Sequence, residues 1–290
     1  MECIVNRRAK FSASHRYWLP ELSPEENQER FGANSRFPGH GHNYEMYVSL
    51  IGELDQYGMV QNLSDVKKVI KKEVTSQLDY SYLNDTWVEF QKTLPTTENI
   101  AKVIWERLSP HLPLVDIQLY EHPQLWVNYQ GKNMEATLSI QTHFSAAHRL
   151  ARPDLSFEEN SEIYGKCARP NGHGHNYHLE VSVTGEIDAR TGMIVDLGDL
   201  QKVIDDYVVE PFDHTFLNKD IAYFAQVVPT AENIAVHIAQ LLQEPVSKLG
   251  VELEKIKLTE SPNNSCEIFC RNLQSNQSVD NKVSEEPALV

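Results

Sequence analysis

Residues 172–177 read GHGHNY, and residues 39–44 read the same six letters. Residues 144–149 read FSAAHR where residues 11–16 read FSASHR, so both matches share an offset of 133 (144 minus 11, 172 minus 39). One extra residue after GEID (185–188), relative to GELD (52–55), moves the offset to 134. It then holds for LDYSYLN (78–84) against FDHTFLN (212–218), and for PTTENIA (95–101) against PTAENIA (229–235). Further on, LYEHP (119–123) answers LTESP (258–262). A period this long makes each copy a domain rather than a solenoid turn. The apolar pattern breaks at YQGKNME (129–135), which divides the chain into domains 1–133 and 134–271. No Gly/Ser-rich linker separates them, so closely docked domains are expected. The polar, aperiodic stretch 272–290 reads as a disordered tail.

Composition narrows the function. The 290 residues carry 26 Lys and Arg against 41 Asp and Glu, a net charge of −15. Such a surface repels phosphate backbones and anionic lipid, which argues against nucleic acid and membranes as partners. No apolar run approaches a membrane span, and MECIVNRRAKF holds no signal-peptide core. Cys3, Cys167, Cys266 and Cys270 are too few for a disulfide framework. A soluble cytoplasmic protein is the expectation.

Within each copy the pattern switches period in a fixed order. Tyr44–Leu50 alternates around Met46, Val48 and Leu50, a half-buried strand mirrored by His178–Val183. The turn signal DQYG or DARTG follows, then a short strand. Ser64–Val74 places Val66, Val69, Ile70 and Val74 at helical spacing, with Ser64 as a possible cap. A second helix starts at PTTENIAKVIWERL behind a Thr cap, and strands around DIQLYE and QLWVNY close the unit. The order ββααββ predicts an α+β domain, an antiparallel sheet with two helices on one face.

The histidines carry the chemistry. Residues two apart on a strand share a side, so both histidines of HGH can face one metal. His15 precedes His40 by 25 residues, and His148 precedes His173 by the same number. The sets His15, His40, His42 and His148, His173, His175 therefore read as two three-imidazole zinc sites with an open position, the catalytic pattern. A lone HGH would read as a turn with solvated histidines. The third histidine at equal spacing in both copies decides against that. Cupins use a different ligand order, and the metalloprotease pattern HExxH is absent.

YGKCARPNGHGHNYHLEVSVTGEIDARTGMIVDL (164–197), followed by FDHTFLN and VPTAENIA, resembles the 6-pyruvoyltetrahydropterin synthase family, which includes the 6-carboxytetrahydropterin synthases. The resemblance spans nearly all of 137–271 and, more loosely, 4–130. It implies two tandem tunnelling-fold domains. It also implies a lyase acting on 7,8-dihydroneopterin triphosphate, with zinc held by His148, His173 and His175. The family's catalytic cysteine falls on Cys167 and its Asp-His pair on Asp213 and His214. The pterin-anchoring glutamate falls on Glu260, with Thr230 and Glu232 as further contacts. The C-x5-H spacing from Cys167 to His173 resembles the pyruvoyl-forming branch rather than the carboxy-forming branch of queuosine formation.

The first copy departs from that pattern. Asn34 stands at the position of Cys167 and Tyr80 at that of His214, while His15, His40, His42, Asp79, Glu98 and Glu121 remain. An amide supplies no thiolate, and a phenol with a pKa of about 10 is a poor proton shuttle. The first copy is expected to bind zinc, and pterin, without turnover. A non-catalytic pterin-binding scaffold is the competing function class. In the family the site lies between subunits, so losing Cys and His together predicts rings of one copy type. The expected assembly is a homo-oligomer, a trimer of two-domain chains, with three second copies in one ring and three first copies in the other.

Overall fold

The structure is a computed structural model that describes residues 1–270. The expected tail over 272–290 lies outside the described residues. The chain divides into two compact units. Unit 1 comprises Met1–Ser139 together with Thr184–Ile194, and unit 2 comprises Ile140–Val183 and the chain from Val195 on. The units therefore do not coincide with the repeats. The far end of the second repeat's long hairpin, with its turn, belongs to unit 1.

In unit 1, β1 (Glu2–His15) and β2 (His40–Glu53) pair antiparallel along their whole length, from Glu2 opposite Glu53 to His15 opposite His40. Alternation sends Tyr44, Met46, Val48 and Leu50 to one side, where all four are fully buried. Each such side chain contributes about 1.5–3 kcal/mol by leaving water. Facing them are α2 (Leu63–Ile70) and α3 (Thr97–Leu108), with Ile100, Ile104 and Leu108 buried; β3 (Leu114–His122) and β4 (Leu125–Tyr129) extend the sheet beyond β2. A two-residue strand, Ser81–Tyr82, lies parallel to β1.

In unit 2 the same plan recurs. The sheet runs β8 (Asn264–Phe269), β7 (Glu252–Ser261), β6 (His173–Glu186) and β5 (Glu135–His148), with Thr215–Phe216 parallel to β5. Its helices are α5 (Leu197–Ile204) and α6 (Ala231–Lys248).

The α+β architecture is as expected, but three local expectations need correction. The element order gains one helix per repeat, α1 (Pro24–Phe31) and α4 (Phe157–Tyr164), each opened by a reciprocal capping box, Ser23 with Glu26 and Ser156 with Glu159. The short strand expected after the DQYG turn does not form. There the Asp55 N–H bonds to the Met59 carbonyl, and Asn62 then caps α2 directly. That cap is Asn62 rather than Ser64, because the Asn62 side chain accepts from the Ser64 N–H at 2.9 Å.

Candidate active site

The end of β5 and the start of β6 bring His148, His173 and His175 together. One possible ligand atom from each lies within 4.8 Å of the others. His148 is almost fully buried, and its Nδ1 donates to the Pro229 carbonyl oxygen at 2.7 Å. A carbonyl only accepts, so the proton sits on Nδ1 and the Nε2 lone pair is free. That Nε2 lies 3.1 Å from Nε2 of His173, and Nε2 of His175 is buried without a hydrogen bond. Burial holds both His148 and His173 below the ordinary imidazole range, so these rings are neutral near pH 7. Converging neutral nitrogens, one pinned from behind by a carbonyl, fit a divalent cation of the zinc type. Glu260 on β7 places Oε1 3.7 Å from Nε2 of both His148 and His175.

Unit 1 repeats this construction. Nδ1 of the buried His15 donates to the Pro95 carbonyl at 2.9 Å, and its Nε2 lies 3.2 Å from that of His40. Nε2 of His42 is buried without a hydrogen bond, 3.4 Å from Glu121 Oε1. Burial depresses His15 to about 4 and lowers His42. Thr97 Oγ1 donates to the other oxygen of Glu121 at 2.5 Å. Burial also raises the Glu98 carboxyl to about 7. The glycine between the two strand ligands is required by space in the first repeat and sits in a tight but less restrictive place in the second. A Cβ on Gly41 would lie 2.7 Å from the Ala13 carbonyl oxygen, and one on Gly174 would lie 3.3 Å from that of Ala146.

Beside the second triad stands the Asp213–His214 pair. Asp213 accepts the Ser145 N–H at 2.7 Å through one oxygen and holds His214 Nδ1 at 2.7 Å through the other. The Ser145 N–H, and then His214, keep this carboxyl below its usual range. His214 is held at φ 57°, its N–H donating to the Ser145 carbonyl, and its ring stands largely exposed. A left-handed non-glycine residue costs about 1 kcal/mol. An open pocket of about 450 Å³ includes Gly174, His175, Asn176 and His214 in its lining. In unit 1, Asp79 accepts the Ser12 N–H at 2.8 Å, and Tyr80 takes the same left-handed turn at φ 55°. The backbone device is shared, and only the presented side chain differs.

Cys167 lies half-buried on the turn Gly165–Ala168, outside the lining of the His175–His214 pocket. Its carbonyl accepts the Leu150 N–H at 2.9 Å, as Asn34 accepts that of Tyr17. Thr230 caps α6 and Glu232 occupies its first turn, tied to the triad through the Pro229 carbonyl. Sequence reasoning missed the two proline carbonyls. It also missed Asn218, which brackets the residue after His148 by accepting from the Arg149 N–H at 2.8 Å and donating to its carbonyl at 2.9 Å. The repeated Leu-Asn of SYLN and TFLN was the available signal, since Asn84 does the same to Arg16.

Within unit 1, the turn Asp188–Ile194 lies against the N-terminus of α3. Thr96 Oγ1 donates to the Gly192 carbonyl at 2.6 Å, and the Ile194 N–H donates to Glu98 Oε1 at 3.2 Å. Met193 packs against a buried cluster of Tyr17, Leu19, Phe31 and Leu94.

A family model described as 6-pyruvoyl tetrahydropterin synthase matches the chain twice, over residues 4–132 and 137–270. A 6-pyruvoyl tetrahydrobiopterin synthase of Pongo abelii is 49% identical over 134 residues, which are 46% of this chain and 91% of that protein. A putative 6-carboxy-5,6,7,8-tetrahydropterin synthase of Archaeoglobus fulgidus is 32% identical over 134 residues, 46% of this chain and 96% of that protein. Among solved structures, the 6-pyruvoyl tetrahydropterin synthase of Caenorhabditis elegans is similar at 38% identity, covering 47% of this chain and 95% of its own, with a TM-score of 0.44.

Proposed function

The chain belongs to the 6-pyruvoyl tetrahydropterin synthase family, and from that premise we propose that its second repeat is a zinc-dependent lyase. It would convert 7,8-dihydroneopterin triphosphate to 6-pyruvoyltetrahydropterin with loss of triphosphate. Family membership makes the chain an enzyme of the pterin synthase type, built from tandem tunnelling folds. The observation that carries the finer reading is one pocket shared by His175 of a three-histidine cluster and by an Asp213-oriented His214.

His148, His173 and His175 would hold zinc, which supplies a Lewis acid for the hydroxyls of the substrate side chain. Cys167 as thiolate takes a proton from that side chain, and His214, oriented by Asp213, returns protons as general acid. Glu260 accepts hydrogen bonds from the pterin amino and ring N–H groups, with Thr230 and Glu232 as further contacts. The first repeat, domain 1–133, uses His15, His40 and His42 to hold a second zinc. Without a thiol at Asn34 or an imidazole at Tyr80, it binds without turnover. The second repeat, domain 134–271, does the chemistry, in a cytoplasmic homo-oligomer.

A carboxy-forming activity on the same substrate is the second reading, supported by the Archaeoglobus relative. A scaffold role for the whole chain is opposed by the retention of Cys167, Asp213 and His214 together. Mass spectrometry of the products separates these readings. A pyruvoyl pterin supports the first, a carboxypterin with acetaldehyde supports the second, and unchanged substrate supports the scaffold.

A further inference from the structure

A polyanionic substrate needs cations, and a chain of net charge −15 has to gather them locally. Neither the zinc ligands, Cys167, the Asp213–His214 pair nor Glu260 offers a permanent cation for a triphosphate. One groove of unit 2 does. It encloses about 350 Å³, and its lining includes Arg149, Arg152 and Lys219 and, among the described residues, no Asp or Glu. Arg152 is neutralised by Asp154 at 2.7 Å. Arg149 donates through Nε to the Ala168 carbonyl at 2.9 Å, and its terminal guanidinium nitrogens have no acceptor among the described residues. Lys219 is exposed. Its Nζ has no acidic partner among the described residues and lies 5.1 Å from the centroid of the Phe216 ring. Two cations without counter-ions therefore stand in one groove.

That groove borders the histidine triad. Arg149 directly follows His148, the last residue of β5. The Phe216 ring, also in the lining, packs on Gly172, the residue before His173, where a Cβ would lie 2.9 Å from the ring. The first repeat closes the same place. Its counterpart Arg16 is held alike, Nε donating to the Ser35 carbonyl at 2.6 Å. Its guanidinium carbon, however, lies 3.8 Å from the Trp18 ring centroid and 5.7 Å from that of Phe37. Repeat spacing puts Ala151 and Pro170 where these two rings stand, and Lys219 where the first repeat has Asp85. The first repeat thus covers its guanidinium and reverses the second charge. The second repeat leaves the guanidinium bare and adds an ammonium.

We propose that Arg149 and Lys219 form the subsite for the triphosphate of the substrate. This rests on the reading of the second repeat as a lyase acting on 7,8-dihydroneopterin triphosphate, and extends it to the leaving group. The triphosphate hangs from the same side chain whose hydroxyls zinc would hold, so its site has to border the triad, as this groove does. The planar guanidinium of Arg149 donates to phosphate oxygens, and Lys219 adds a mobile point charge. After elimination the same pair holds free triphosphate, so inorganic tripolyphosphate competes with substrate.

Calorimetry with inorganic tripolyphosphate on zinc-loaded chains reads the subsite without turnover. Lys219→Asp installs the first-repeat charge at an exposed side chain and should weaken binding about ten-fold or more at low salt. Ala151→Trp, which restores the first-repeat cover over Arg149, should weaken it as well. Lys219→Asp should also raise KM for the triphosphate substrate with kcat little changed, and leave the binding of 7,8-dihydroneopterin, which lacks the phosphates, as in wild type. Tripolyphosphate affinities equal to wild type in both variants, as if the anion bound through the metal alone, overturn the proposal. An equal loss of dihydroneopterin binding overturns it too, since the damage would then not be specific to phosphate. Weakened tripolyphosphate binding in a chain whose wild type consumes no substrate would sustain the anion subsite and contradict the lyase reading instead.

Discussion

The Nδ1 proton of His148 is held by the carbonyl oxygen of Pro229 at 2.7 Å, and His15 is held by Pro95 in the same way at 2.9 Å. Each bond runs from the end of a long strand to the residue just before a helix cap. The proline has no N–H of its own to satisfy there, and its carbonyl selects the tautomer that leaves Nε2 free. Both repeats therefore keep a metal-ready triad, although only one keeps a thiol and an imidazole beside it.

Loss of the thiol should stop the chemistry and spare the fold. Cys167→Ala is expected to abolish turnover with zinc content and melting temperature unchanged, since the Gly165–Ala168 turn is held by backbone bonds. Asn34→Cys should create little activity in the first repeat, because Tyr80 still stands in the place of His214. Kinetics with zinc analysis checks both, and substantial activity from Asn34→Cys would show that the imidazole is dispensable.

The strand glycines should respond unequally. Gly41→Ala puts its Cβ 2.7 Å from a backbone oxygen, whereas Gly174→Ala meets one at 3.3 Å. The first substitution should cost about 1–3 kcal/mol and part of the first zinc, and the second clearly less. Thermal melts of the two variants with metal analysis decide this, and equal effects would contradict the register.

Glu98 should make the metal-stripped chain more stable in mild acid. Burial raises its carboxyl from 4.5 to about 7, so between those pH values the folded chain keeps a proton that the unfolded chain has released. The Glu98 contribution to stability then falls as pH rises through this window, by up to ~3 kcal/mol, and levels off above it. Asp116, raised to about 6 by burial, adds a slope of the same sign. The histidines of the chelated chain, which burial holds below 6.5, titrate with the opposite sign in this window but are common to wild type and Glu98→Gln. In denaturant titrations wild type should therefore lose stability relative to Glu98→Gln as pH rises from 5 to 7. An unchanged slope would mean that Glu98 is ionised when folded.

Much of this was legible because the repeat states each signal twice. The equal 25-residue spacing assigned His15 and His148 to the strand beside HGH, and the structure sets His15 directly opposite His40. The excursion itself hid a helix, whose local marks were the capping pair Ser23 and Glu26 and Pro24 at its first position, away from the apolar periodicity. The turn after Asp188 was legible in DARTG, but where it docks was beyond local patterning. Its Ile194 N–H bonds to a side chain 96 residues away, a partner that no spacing rule within either copy identifies.

The central claim is that both repeats hold metal and one of them turns over. The direct measurement is the rate of 7,8-dihydroneopterin triphosphate consumption by His15→Ala and His148→Ala chains, assayed side by side with their zinc contents. Each variant should retain about one zinc per chain instead of two. His15→Ala should keep its rate within about two-fold of wild type, and His148→Ala should lose about a thousand-fold or more, the scale expected when a Lewis acid worth several kcal/mol is removed. Equal losses in the two variants, or the greater loss in His15→Ala, would contradict the account.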